Sequence, residues 1–155
     1  MASPTVIPDI ASLKSYAGKV LGTTDWVTVS QEQIDTFAKA TGDYQWIHVD
    51  VERAKRESPF EGPIAHGYFT ISLAPALLPQ LLLVENTSNM VNYGIDKMRL
   101  PGPVPAGARV RLTAEIKHVR DIRGGAARVT IGVTFHVEGV TKPCCKADLI
   151  FVYFP

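Results

Sequence analysis

The chain has 155 residues, 46% of them hydrophobic, which fits one folded unit able to bury roughly 70% of its unfolded surface. Sixteen basic residues against fifteen acidic give a formal charge of +1. The basic residues are scattered, apart from Arg120 and Arg123 near a turn, so there is no electrostatic footprint for nucleic acid. The longest apolar stretch, Ile71 to Val84, contains Pro75, Pro79 and Gln80 and falls short of the ~20 residues of a membrane span. Met1 to Asp9 has neither a basic region nor a long apolar run, so no secretory signal is expected. Cys144 and Cys145 are adjacent and make no disulfide framework, which predicts a reduced, cytoplasmic protein in which both are packing residues.

In chain order, Asp9 is placed to cap a short helix over Ile10 to Ala17, with Gly18 as its stop. Trp26 to Val29 alternates and is β-rich, a first strand. Ser30-Gln31-Glu32-Gln33 has capping-box spacing, and Ile34, Phe37 and Ala38 behind it form one apolar helix face ending at Gly42. Asp50 can cap a further short helix through Ala54 and Arg56, and Pro59 to Pro63 is a loop. From His66 or Gly67 the chain turns almost wholly apolar through Ala74, the mark of a helix buried in the middle of a fold. Pro75 inside it predicts a kink or two helical pieces, because an interior proline costs on the order of 3 kcal/mol.

After Glu85 the pattern is strand: Asn89 to Leu100, Ala108 to Val119, Ala126 to Glu138 and Lys146 to Phe154, separated by glycine and proline turns. Helices first and strands afterwards predicts an α+β fold, with an antiparallel sheet of about five strands wrapped around a long central helix. No repeat or linker divides the chain.

The residues with chemical potential are Asp43 and His48, five apart just past a helix end, and His66-Gly67 eighteen residues on. Trp46, Ile47 and Val49 surround His48 with apolar bulk, which would hold an imidazole neutral and raise the pKa of a nearby carboxyl group. Two groups pushed toward a common range can do acid and base work at neutral pH. If the buried helix starts at Gly67, its first amides lack carbonyl partners and lie at the positive dipole end, where they would form an oxyanion hole. The plainer readings are a turn-capping aspartate, a packed loop histidine and a packing glycine, with His66 structural.

The run Ala40 to Asp50, then Gly62-Pro63-Ile64-Ala65-His66-Gly67, then Lys97 to Val104, resembles the MaoC-type (R)-specific enoyl-CoA hydratases from roughly Trp26 onward. The resemblance implies a hot-dog fold as a single domain over 1–155, a homodimer, and an acyl-CoA thioester substrate in fatty-acid metabolism. It also implies hydration of trans-2-enoyl-CoA to (R)-3-hydroxyacyl-CoA. Carried over, Asp43 and His48 are the catalytic pair holding the water, with His48 as base and Asp43 as proton donor. The Gly67 amide then binds the thioester oxygen.

Two positions depart from the pattern. Gln45-Trp46 stands where the family has Asn-Pro, leaving Gln45 as the amide that positions substrate or water. Pro75 stands near a supporting serine of the central helix. The same chemistry run backwards would dehydrate 3-hydroxyacyl groups on an acyl carrier protein.

Other activities fit less well. A hot-dog thioesterase needs a carboxylate on the buried helix, and Gly67 to Val84 has none. The Asp43/His48 pair argues against a silent acyl-binding protein. His48, Asp50 and His66 match no zinc or facial-triad spacing, so no metal or cofactor is expected.

Overall fold

The structure is a computed structural model that describes residues 3–155; the first two residues of the expected domain lie outside the described residues. The first helical turn is a 3₁₀ segment, Ala11–Tyr16, opened by the Ser12 amide donating to Asp9 Oδ1 at 2.8 Å. Helix α1, Gln31–Thr41, carries the full capping box: Ser30 accepts from the Gln33 amide while the Gln33 side chain accepts from the Ser30 amide. Such caps contribute about 1 kcal/mol. The helix ends on Gly42, whose φ of +80° lies in the left-handed region that glycine enters freely. Helix α2, Trp46–Val49, follows at once, then α3, Val51–Glu57, capped by Asp50 accepting from the Arg53 amide.

The central apolar segment is broken, as Pro75 requires. Helix α4 is Gly67–Ser72, α5 is Ala74–Leu77, and a 3₁₀ turn covers Leu78–Gln80. Proline cannot donate to the preceding turn, so the chain restarts with Pro75 in the first turn of α5.

Before this segment lie β1 (Thr5–Ile7), β2 (Val20–Thr23) and β3 (Val27–Thr28), and after it β4 (Leu82–Val84) and β5 (Asn89–Arg99). The sheet is completed by β6 (Arg109–Asp121), β7 (Ala127–Val137) and β8 (Cys145–Phe154), in the order β2-β6-β7-β8-β5, with β3 also on β6 and every pairing antiparallel. A separate parallel pair joins β1 to β4, which the sequence did not announce; each has only three residues, too few to show a period.

Alternate residues of β6, β7 and β8, among them Leu112, Ile116, Ile131, Phe135, Leu149 and Phe151, point into one buried cluster with Ile71, Ala74, Leu77 and Leu78 of the helical segment. This is the expected sheet wrapped on a helix. One expectation needs correcting: the segment is not buried all round. Tyr68 is 71% exposed, and Ser72, Pro75 and Ala76 are exposed with it. The open face borders β5, an edge strand on which Val91, Tyr93 and Ile95 are also exposed.

Candidate active site

Two pieces of irregular backbone bring the site together. His48 rides on α2, and His66 stands directly before α4. The Ile64 amide donates to the Ile47 carbonyl at 3.0 Å, and the Ala65 amide donates to Val104 at 2.8 Å, so the approach to α4 is strung between α2 and the turn after β5. The Gln31 side-chain amide donates to the His48 carbonyl at 2.7 Å, fixing α2 on the start of α1.

His48 is 6% exposed, and its Nδ1 lies 2.7 Å from the Ile64 carbonyl oxygen. A carbonyl only accepts, so Nδ1 carries the hydrogen and Nε2 is left with its lone pair, the form a general base needs. Burial holds His48 below the usual imidazole value. The Ile64 carbonyl opposes that shift, His66 adds to it, and Asp43 opposes it in turn.

The Asp43 side chain is 52% exposed, so the apolar surround expected for the pair closes over the imidazole and leaves this carboxylate open to solvent. Its Oδ1 accepts from the Gln45 amide at 3.3 Å, within its own loop. Its main-chain carbonyl accepts from His66 Nε2 at 2.9 Å. Asp43, His48 and His66 each present a donor or acceptor atom within 4.8 Å of the others. The two imidazoles stack with centroids 3.9 Å apart and 28° between planes. Asp50, the acid imagined beside the two histidines, caps α3 instead.

A cavity of about 270 Å³ opens beside His48, with Gly67, Thr70, Leu100 and Cys144 among its walls. Gly67 thus meets His48 across one space, whereas Asp43 is not part of that lining. A Cβ on Gly67 would stand 2.3 Å from Leu100 Cδ1, so the glycine hollow is filled by a half-exposed leucine tip. Gln45 precedes α2 with its side chain exposed.

Two wall residues escaped the sequence reading. Thr70 is one helical turn beyond Gly67, a spacing that could have flagged it, and is 2% exposed. Cys144 has no local signal; burial pushes its thiol up to about 11, and that of Cys145 to about 12, which leaves both inert as nucleophiles.

Comparison with known proteins bears on this arrangement. Residues 12–138 match the family described as "MaoC like domain". The 3-hydroxyacyl-thioester dehydratase Z of Mycobacterium tuberculosis H37Rv is 46% identical over 144 residues, covering 93% of this chain and 95% of that protein. Nodulation protein N of Rhizobium leguminosarum bv. viciae is 40% identical over 148 residues, covering 92% and 89%. Among solved structures, the (R)-hydratase from A. caviae involved in PHA biosynthesis superposes with a TM-score of 0.70 at 21% identity, over 88% of this chain and 97% of that one. That likeness speaks for the fold alone.

Proposed function

The chain belongs to the MaoC-like dehydratase family, and we propose that it interconverts trans-2-enoyl-CoA and (R)-3-hydroxyacyl-CoA by reversible syn addition of water, as a single hot-dog domain over 1–155. The observation that carries the proposal is the approach of Asp43 to His48 within 4.8 Å. One water with two legs of about 2.8 Å and a near-tetrahedral angle spans about 4.6 Å, so a single molecule can bridge the pair.

In the hydration direction His48 accepts a proton from that water through its free nitrogen, the hydroxyl oxygen bonds to C3, and the pair delivers a proton to C2 on the same face. Asp43 is the group that hands over this proton from its carboxyl, and the proton taken by His48 then passes to the Asp43 carboxylate, which restores the pair. The negative charge that gathers on the thioester oxygen is received by the Gly67 amide, whose helix offers it no carbonyl. Gln45 is assigned to positioning the water or substrate from the loop.

The exposed apolar face of α4 and α5, together with the edge strand β5, supports a homodimer in which a second copy covers Tyr68, Tyr93 and Ile95. Among the described residues no helix is long and apolar enough to cross a membrane. We place the enzyme in the cytoplasm, and in fatty-acid metabolism as the MaoC-type resemblance implies.

The test is the loss of conjugated enoyl-thioester absorbance with crotonyl-CoA and longer enoyl-CoAs, with chiral analysis of the product. Hydration giving the (R) alcohol, lost in Asp43→Ala and His48→Ala, supports the reading. A fully active Asp43→Asn variant sinks the assignment. The dehydratase relative favours a second reading, removal of water from 3-hydroxyacyl groups on a carrier protein. Turnover of carrier-bound but not CoA-bound substrate would select it.

A further inference from the structure

We infer that His66 is the positioning residue of this site: by donating from Nε2 to the Asp43 carbonyl while stacking on His48, it sets the distance between acid and base. The inference rests on the proposed hydration and deepens it.

His66 is 3% exposed and belongs to the approach to α4, whereas both members of the pair lie in the loop and short helix after α1. Asp43 is on an exposed stretch between Gly42 and Gln45. Within that loop its only hydrogen bonds are weak ones, to Thr41 Oγ1 at 3.4 Å and from the Gln45 amide at 3.3 Å. The 2.9 Å bond from His66, twenty-three residues away in sequence, is the one long-range hydrogen bond to Asp43 among the described residues. The same imidazole lies against the face of His48 at 3.9 Å, with Phe37 packed on it at 4.9 Å. The three rings stand in contact in the order Phe37, His66, His48. One side chain therefore fixes the main chain of the acid and the ring plane of the base.

His66 Nδ1 is buried with no hydrogen-bond partner. Because the carbonyl of Asp43 can only accept, Nε2 holds the hydrogen and this orphan is the bare acceptor. A side chain needed only to fill space would leave no such orphan, since a phenyl ring would occupy the same volume without it. The unsatisfied nitrogen is tolerated because the opposite edge of the ring makes a bond that a hydrocarbon cannot.

His66 also closes the circuit to the oxyanion donor. Its own carbonyl accepts from the amides of Phe69 at 3.0 Å and Thr70 at 3.2 Å, which begins α4 with Gly67 as its first residue. Acid, base and oxyanion amide are thus referred to one residue.

The experiment compares His66→Phe, which keeps the ring but has no donor, with His66→Gln, whose amide nitrogen reaches about as far as Nε2. For each, kcat and KM with crotonyl-CoA are measured beside the dissociation constant of butyryl-CoA, a saturated analogue that cannot react. A misplaced reacting group costs on the order of 100-fold in rate without weakening binding, so His66→Phe should lose roughly 30- to 100-fold in kcat. KM and butyryl-CoA affinity should stay within about twofold. His66→Gln should recover most of the rate. A purely structural role would instead move stability and binding together and would not be rescued by glutamine.

Should the phenylalanine variant fail to fold, His66→Asn, whose amide stops short of Asp43, makes the same comparison against His66→Gln. Wild-type kcat in folded His66→Phe, or equal loss in the phenylalanine and glutamine variants, overturns the inference. Asp43→Ala and His48→Ala run alongside: if they are dead while His66→Phe is fully active, only the positioning role fails. A wild type inert toward every enoyl thioester removes the hydratase reading and this inference together.

Discussion

Replacing His48 by Asn separates the two nitrogens of the ring. The Asn side-chain amide sits close to where the imidazole carries Nδ1, so it can still donate to the Ile64 carbonyl now bonded at 2.7 Å. The stack on His66 at 3.9 Å and the free Nε2 are what disappear. Losing the stack and leaving a small void costs about 1–2 kcal/mol. For a chain of this length that lowers Tm by about 2–8 °C. Losing a general base costs about 10²- to 10⁴-fold, and the loss should appear in kcat more than in KM.

Enoyl-thioester absorbance gives the rate, and a circular dichroism melt confirms that the variant is folded. His48→Gln supplies the converse. Its amide reaches toward the Nε2 position but abandons Ile64, so it should lose similar activity and more stability, because a buried carbonyl is left unpaired. A folded His48→Asn variant within about tenfold of wild-type kcat would show that the chemistry is not at this imidazole.

Three further outcomes follow from the geometry. His48 is held below its usual value by burial, so the acidic limb of kcat/KM should fall at a pH below about 6.5. The unfolded chain binds this proton at the ordinary value while the folded one resists it, so the stability contributed is intact above about pH 6.5 and erodes as pH falls below it. Tm measured from pH 8 to 5 checks the sign, and an acid limb at or above the ordinary value contradicts it. Gly67→Ala displaces the Leu100 tip that sits 2.3 Å from the new Cβ. Alanine keeps the amide but sets a methyl beside it, where a ligand oxygen must approach, so the double variant with Leu100→Ala should regain Tm but not the roughly 100-fold of rate lost as that contact lengthens, whereas full recovery of rate would make Gly67 a packing glycine. Ile95→Lys puts a charge on the 48%-exposed edge of β5, and sedimentation should then show a monomer with its fold intact; an unchanged dimer would place the interface elsewhere.

The sequence was most legible where one residue type has one physical job. Ser30 and Gln33 announced a capping box, Gly42 a left-handed stop and Pro75 a break, and each stands where those constraints put it. The long strands were readable because β-rich runs stand between glycine and proline turns; β6 and β7 alternate buried and part-buried residues along much of their length, whereas β8 is buried on both faces. Most short elements were not: α2 is four residues and β1 and β4 three each, lengths at which neither a helical nor a strand period can repeat, although β3 does lie within the strand expected over Trp26 to Val29.

The site was legible only in part for a similar reason. Asp43, His48 and Gly67 could be picked out by residue type and spacing. The contacts that orient them come from Gln31, Ile64 and His66, up to 23 residues away from the groups they orient. Ile64 acts through its carbonyl, which every residue type has, so no sequence pattern could single it out. The expectation of an all-round buried helix failed because apolar composition cannot say which face is covered within one chain.

That division between main chain and side chain has a consequence for how such a site can change. Ile64 addresses α2 twice, its amide donating to Ile47 and its carbonyl accepting from His48 Nδ1. The tautomer of His48 is therefore set by backbone that is itself pinned through Ala65 to Val104 and through Pro63 to Ala106. The cavity that would receive the acyl thioester is shaped instead by side chains, chiefly Phe60, Thr70, Leu100 and Cys144. Substitution of those walls alters volume and polarity without touching a hydrogen bond that defines the base. On the proposed hydration, proton chemistry and substrate shape are thus carried by separate sets of atoms, and acyl preference would drift while the pair of Asp43 and His48 stays as it is.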